Sequence, residues 1–279
     1  MWQLIKIELF KISRKPRTYI AFAAITSIVL LIQMALYADG EQYLQFAMQT
    51  LSATFQIDGV ILNGYFVCFL ILQTLLVHVP LLIALVAGDA VAGEANMGTL
   101  RVLLTKPISR TQVLIGKFIA CSVYTIALLT FMALLSLVLS LVIFGTGDLL
   151  ILKSETVVIL DSSDILWRYI AAFGFAAISM LTVAALAFLL SIFSDNAIGP
   201  IVATMSIVIL LTIITTMDIP FFNAVKPYLF TNHMLNWKGF FDQPVDRLEV
   251  LKSAAILVFH IILFFSITVF LFRRKDILS

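Results

Sequence analysis

Charge is scarce in this chain. Only 12% of its 279 residues are Asp, Glu, Lys or Arg, about half the share of roughly 25% usual in soluble domains. With a mean hydropathy of +1.09, this excludes an ordinary soluble domain and points to a polytopic membrane protein. Proline is also rare, seven against twenty-three Phe, which suits long apolar helices. A transmembrane β-barrel would need short alternating segments, and the apolar runs here are too long for that. Two cysteines, Cys68 and Cys121, both inside apolar runs, allow neither a disulfide framework nor zinc-ligand spacing. They read as small apolar side chains.

Catalytic signatures are missing too. Gly116-Lys117 is followed by Phe118 and lacks the upstream glycine of a phosphate-binding loop, so the chain binds no nucleotide in that way. It has no H-E-x-x-H and no G-x-S-x-G. Its three histidines, His78, His233 and His260, stand in separate segments. No metal site or catalytic residue is expected. The apolar run from near Tyr19 is too long for a signal-peptide core, and the residues just before Asp39 give no Ala-x-Ala cleavage site, so it reads as a retained span.

What is present is a set of six apolar stretches near the roughly 20 residues a bilayer core requires. They run over Thr18–Tyr37, Gly64–Ala87, Val113–Phe144, Trp167–Phe193, Ile201–Thr216 and Ala254–Phe272. The fold class is therefore all-α and membrane-embedded, with residues 1–279 forming one transmembrane domain. Residues 1–17 form a basic amphipathic segment. Trp2, Ile5, Leu9 and Ile12 share a helical face away from Lys11, Arg14 and Lys15, with Pro16 at its end. Such a segment can lie in the membrane interface; the plainer reading is that its cations merely obey the positive-inside rule. Of the eighteen Lys and Arg, twelve fall on one side of the six spans, together with both termini, and this side is expected to be cytoplasmic. The outer connections read as acidic loops around Asp39, Glu41 and Asp58 and around Asp148, Glu155, Asp161 and Asp164. Residues 217–252 are aromatic-rich and are expected to form short re-entrant or interfacial helices.

Residues 88–110 are the most polar inner connection. Read as helix, Met97, Leu100 and Leu104 share one face and Glu94 and Arg101 another. Gly98 marks a bend, Pro107 ends the helical run, and Ser109 is placed as the N-cap of the next helix. Within the spans, Gln33, Gln73 and His78 are polar groups expected to face the bundle interior. They serve there as interhelical hydrogen-bonding groups or, for Gln73 and His78 beside Pro80, as part of a pathway. His260 reads as a hydrogen-bonded packing residue.

The run Gly88-Asp89-x-x-x-Gly93-Glu94-x-x-x-Gly98-Thr99-Leu100, then Leu103-Leu104-Thr105-Lys106-Pro107-Ile108-Ser109-Arg110 and Gly116-Lys117, resembles the permease subunits of type-2 ABC exporters. It is most similar to the branch holding the membrane subunit of the nitrous-oxide-reductase maturation transporter. The resemblance implies that residues 88–110 form a coupling helix docking on a separate ATPase subunit, present in two copies. ATP and magnesium would bind there, and no cofactor would bind this chain. It further implies a second permease copy, forming a homodimer, in a bacterial inner or plasma membrane, with lipid and no nucleic acid as partner. ATPase contacts are then expected at Glu94, Met97, Thr99, Arg101 and Arg110, with Gly98 and Pro107 shaping the backbone. The cargo is not encoded in this pattern. A non-transporting membrane anchor that recruits a cytosolic partner, and an intramembrane enzyme, remain as other classes.

Overall fold

The computed structural model describes residues 1–47, 61–105, 107–152 and 157–275. Asp58, Lys106, Lys153 and Glu155 lie outside the described residues, as do the side chains of Arg101 and Leu104.

Helix α1 (Trp2–Arg14) is followed after one extended residue, Lys15, by α2 (Pro16–Ala47). Proline suits the first turn of α2 because that position has no intrahelical N–H bond to lose. The helix continues past the expected span end through a kink at Asp39 (φ −128°, ψ 16°), so part of the first acidic connection is helical. Helix α3 (Gly64–Ala87) has the expected bounds and is capped by the Asn63 side chain, which accepts from the Phe66 N–H at 3.1 Å. It bends by 52° between Leu75 and His78. Pro80 supplies the cause, since it lacks the N–H that would bond the carbonyl four residues back. Two short helices, α4 (Asp89–Asn96) and α5 (Thr99–Leu104), lead to α6 (Arg110–Phe144). The Ser109 cap of α6 is a full capping box with Gln112. A π-helical stretch, Leu134–Val138, interrupts α6, and there the Ser136 hydroxyl donates back to the Met132 carbonyl at 2.7 Å.

The connection after α6 departs from an all-α fold. Leu149–Leu152 (β1) and Val157–Leu160 (β2) pair antiparallel, Leu149 opposite Leu160. Apolar and β-branched side chains suit a pleated ribbon, and Leu149, Leu150 and Ile151 are buried against the bundle. Helices α7 (Ser162–Ser191) and α8 (Ile198–Thr216) follow, then short turns including α9 (Pro220–Asn223) and α10 (Phe230–Met234). The last helix, α11 (Arg247–Arg274), begins seven residues before the expected span. Asp246 accepts from the Leu248 and Glu249 N–H groups and starts it inside the segment read as a connection.

Among the described residues five helices are long and apolar enough to cross a membrane, and the bent α3 makes a sixth if counted as one span. Helix α7 is the hub. Of its apolar window 67% is buried, against 17–28% in the other four, and it packs on α3, α6, α8 and α11. At one end of the bundle the short helices after α8 fold back onto it. Trp237 and Phe241 pack on Phe69 and Tyr169, and the Tyr169 hydroxyl donates to the Tyr65 carbonyl at 2.6 Å. Helices α3 and α6 meet closely at Gly64, where an added Cβ would lie 2.6 Å from the Leu141 Cα. Gly64→Val is therefore expected to cost about 1–3 kcal/mol by overpacking. A lower thermal midpoint in detergent should show it, whereas an unchanged midpoint would mean the two helices do not touch there.

Candidate functional site

The polar connection lies at the end of the bundle opposite the aromatic turns. Helix α3 ends there and α6 begins there, and α1 lies across α6. Close approach of α1 requires Gly116, since a Cβ at that position would meet Leu4 Cδ2 at 2.7 Å. This contact carries Glu8 inward, so that α1 buries Leu4, Ile5 and Glu8 and leaves Trp2, Ile7 and Phe10 exposed.

Four side chains then form a buried ionic knot. Lys117, 2% exposed and the only charge in α6 after Arg110, reaches Glu8 Oε2 at 3.0 Å and Glu94 Oε1 at 2.7 Å. Lys11 bridges the same two carboxylates, Glu8 Oε1 at 2.8 Å and Glu94 Oε1 at 2.7 Å. Beside it, buried Asp89 receives Lys15 at 2.6 Å and Arg17 at 2.7 Å. Three acids thus meet four bases, joining α1, the start of α2, α4 and α6. Burial pushes the Glu94 carboxyl up, but the Lys117 charge and the hydrogen bonds from Lys11 and Lys117 outweigh it and hold it below its ordinary value. For Lys11, burial works against the ammonium and the two glutamates prevail, raising it.

The connection between α4 and α5 turns outward. Gly98 takes a left-handed conformation (φ +70°), open to any residue only at a strain cost and to glycine freely. Asn96, Met97, Gly98 and Thr99 are exposed, Met97 by 61%, while Leu100 turns back into the core. The Thr99 hydroxyl donates to the Glu94 carbonyl at 3.3 Å.

These positions sort the expected site residues. Met97, Gly98 and Thr99 form an exposed turn, and Pro107 is exposed beyond α5. Glu94 is 4% exposed and turned to Lys11 and Lys117. The break at Gly98 also dissolves the shared helical faces read across residues 94–104. Arg110 is turned toward the chain's own end. Its Nη1 donates to the carbonyls of Phe272, Arg273 and Lys275 at 3.4, 3.3 and 2.7 Å, capping α11. Gln33 faces the interior as expected, its Nε2 donating to Ser140 Oγ at 2.9 Å. Gln73 and His78 instead face outward from this chain. His260 is a packing residue, its ring beside Phe230 and Phe264 and its Nδ1 at 2.8 Å from the Ile256 carbonyl.

Sequence reading passed over Glu8 and gave Asp89 and Lys117 no role beyond their place in the motif. The signal lay in their isolation. Glu8 is the only acid in the first 38 residues, and Asp89 and Glu94 are the only acids between residues 59 and 147. Charges that isolated near apolar spans need partners.

Removing one partner of a buried pair leaves an uncompensated charge and costs about 3–5 kcal/mol. Lys117→Met is expected to lose stability on that scale, and Glu94→Gln combined with it to lose less than the two single changes summed; additive losses would show no coupling. The pH effect has a fixed sign. Because the Glu94 carboxyl is held below its ordinary value of 4.5, its contribution is present above that value and is lost as pH falls through the folded value. Acid melts of Glu94→Gln should be flatter than wild type below about pH 5, and superimposable acid limbs would count against the assignment.

Known proteins bear on this architecture. The chain is 27% identical over 205 residues to the uncharacterized protein YhcI of Bacillus subtilis, covering 69% of this chain and 63% of that protein. It is 29% identical over 188 residues to the ABC transporter permease protein NatB of Bacillus subtilis, 64% of this chain and 46% of NatB. A short match, 52% identical over 40 residues, links it to the probable ABC transporter permease protein NosY of Stutzerimonas stutzeri, 14% of each. The chain thus spans less than two thirds of each of these relatives' own length. Its apolar helices and this distant similarity together describe a multi-pass membrane protein akin to ABC transporter permeases. A match extending over residues 18–278 shows that the chain belongs to DUF2705, a family of proteins of unknown function.

Proposed function

We propose that the chain is the permease subunit of an ATP-driven ABC exporter, with the α4–α5 connection docking as a coupling helix on a separate ATPase. The observation that carries this reading is the exposed turn Asn96–Thr99, hung between two membrane helices and fixed at its root by Asp89 and Glu94. A push on that turn would act on α3 and α6 together and, through Lys117, Lys11 and Lys15, on α1 and α2. Hydrolysis by two ATPase copies, which bind ATP and magnesium, would thereby move a pair of permease copies between inward- and outward-facing states. In this reading Met97, Thr99 and Arg101 meet the ATPase. Gly98 and Pro107 shape the turn, while Glu94 and Arg110 brace it from behind. The bias of twelve among the eighteen Lys and Arg toward one side of the spans supports a cytoplasmic position for both ends and the turn. Gln73 and His78 stand beside the pathway.

The chain purified from its native host should bring down a Walker-motif ATPase. Met97→Asp changes an exposed side chain, so the thermal midpoint should hold. Association with the ATPase should fall about tenfold, as for a buried interface anchor. If no ATPase accompanies the wild type, the chain is a membrane anchor of another kind. If Met97→Asp binds as wild type does, docking lies elsewhere.

A further inference from the structure

Toward the end of the bundle opposite the ionic knot, a cleft of about 350 Å³ opens between α3, α8 and the turns after α8. Its walls are largely apolar, Met205 and Ile213 of α8 among them. Five polar side chains line it as well: Gln73, Thr212, Thr231, Trp237 and Lys238, of which the Thr212 hydroxyl already donates to the Val208 carbonyl at 2.7 Å. Two of them carry unanswered donors. Trp237 is fully buried and Thr231 is 2% exposed, yet neither Trp237 Nε1 nor Thr231 Oγ1 has a hydrogen-bonding partner among the described residues. An indole N–H can only donate, so what it lacks is an acceptor. Lys238 adds the charge. Its Nζ lies 5.9 Å from the centre of the Trp237 ring, and no described carboxylate pairs with it. Partial burial holds its ammonium below the usual lysine range. Buried donors left empty are costly, and the exposed Lys238 ammonium beside them is free to pair with an anion. An apolar trough with donors and a cation is therefore complementary to a molecule with an oily body and an acidic head.

We propose that this cleft binds an amphiphilic anion, its carboxylate or phosphate head held by Lys238 with Trp237 Nε1 and Thr231 Oγ1 as donors, and its apolar body along Met205 and Ile213. Binding itself stands independently of the exporter reading; only the role of this anion as cargo rests on it.

Trp237 is a built-in reporter. In the full chain with Trp2→Phe and Trp167→Phe, reconstituted in zwitterionic nanodiscs, dibromostearate should quench Trp237 saturably. Lys238→Gln should weaken that binding about tenfold and Lys238→Arg should restore most of it, as expected for a hydrogen bond to a charged group. Brominated stearyl alcohol should bind wild type and Lys238→Gln alike. Native mass spectrometry of wild type and Lys238→Gln with stearate repeats the comparison without the tryptophan changes. Quenching that never saturates, or equal affinity in wild type and Lys238→Gln, would overturn the proposal. A second arm identifies the source of the anion. If brominated phosphatidylglycerol in the disc fills the site and stearate does not displace it, the anion is a resident lipid. If stearate displaces it, the site takes up free amphiphiles. Both outcomes support an anionic head site. None of these measurements uses the ATPase, so a failed ATPase association would leave them standing, and their failure would leave the coupling reading standing.

Discussion

Everything at the polar end of this protein follows from burying one ammonium. Lys117 sits about two turns into a membrane helix and is 2% exposed. A charge taken out of water costs several kcal/mol, and a single carboxylate seldom repays it. Lys117 has two carboxylates, Glu8 and Glu94, and each belongs to a different segment. Satisfying Lys117 therefore fixes α1 on α6 and α4 beneath both. The knot's worth lies less in net stability, which an apolar replacement could match, than in position: only one arrangement of these segments leaves no charge alone.

A fixed base of this kind needs compliance elsewhere if the helices above it are to move. The two helices that leave the polar connection both carry an interruption of regular helical hydrogen bonding. Helix α3 bends by 52° ahead of Pro80, and α6 passes through the π stretch Leu134–Val138. Both interruptions lie within the membrane-spanning part, away from the ion pairs. Weakened helical ladders are where a helix can change its path at least cost. The base is also tied to the last helix, because Arg110 caps the final carbonyls of α11 and Lys275 reaches the Ile192 carbonyl at 2.8 Å. Displacing the exposed turn thus acts on a joined set of helix ends and is absorbed in the middle of the spans.

Much of this was legible in the sequence where one residue decides one outcome. Hydropathy located the spans, Pro16 the break between the first two helices, Ser109 the start of α6 and Gly98 the bend. What escaped was anything set by two distant segments. A helical wheel puts Glu8 on no apolar face, and only Lys117, 109 residues further on, makes burying it feasible. Glu94 and Arg101 share a face only if the helix runs straight through Gly98, and its φ of +70° forbids that. The paired strands Leu149–Leu152 and Val157–Leu160 were masked by the acidic residues around them. Their apolar residues are too few for a span, so their pairing with each other and their burial on the bundle went unread.

The polar residues at membrane depth carry the argument one step further. Gln33 turns inward, and its amide reaches Ser140 across two helices. Gln73 turns outward, into the cleft beside α8. His78 is also outward, yet its Nδ1 is already met by the Thr74 carbonyl at 2.9 Å on its own helix. Polar groups facing hydrocarbon are costly and rare, and they usually face protein or a wetted cavity. Among the described residues the Gln73 amide has no such answer, so the face formed by α3 and α8 is poorly suited to bare lipid. Helix α8 is correspondingly thinly covered, with 22% of its apolar window buried. In the single chain the boundary between α3 and α8 is left open. An acidic headgroup or an amide across that boundary would meet what Gln73, Thr231 and Trp237 leave open, which is why the cleft and the unpaired face fall on the same side of the molecule.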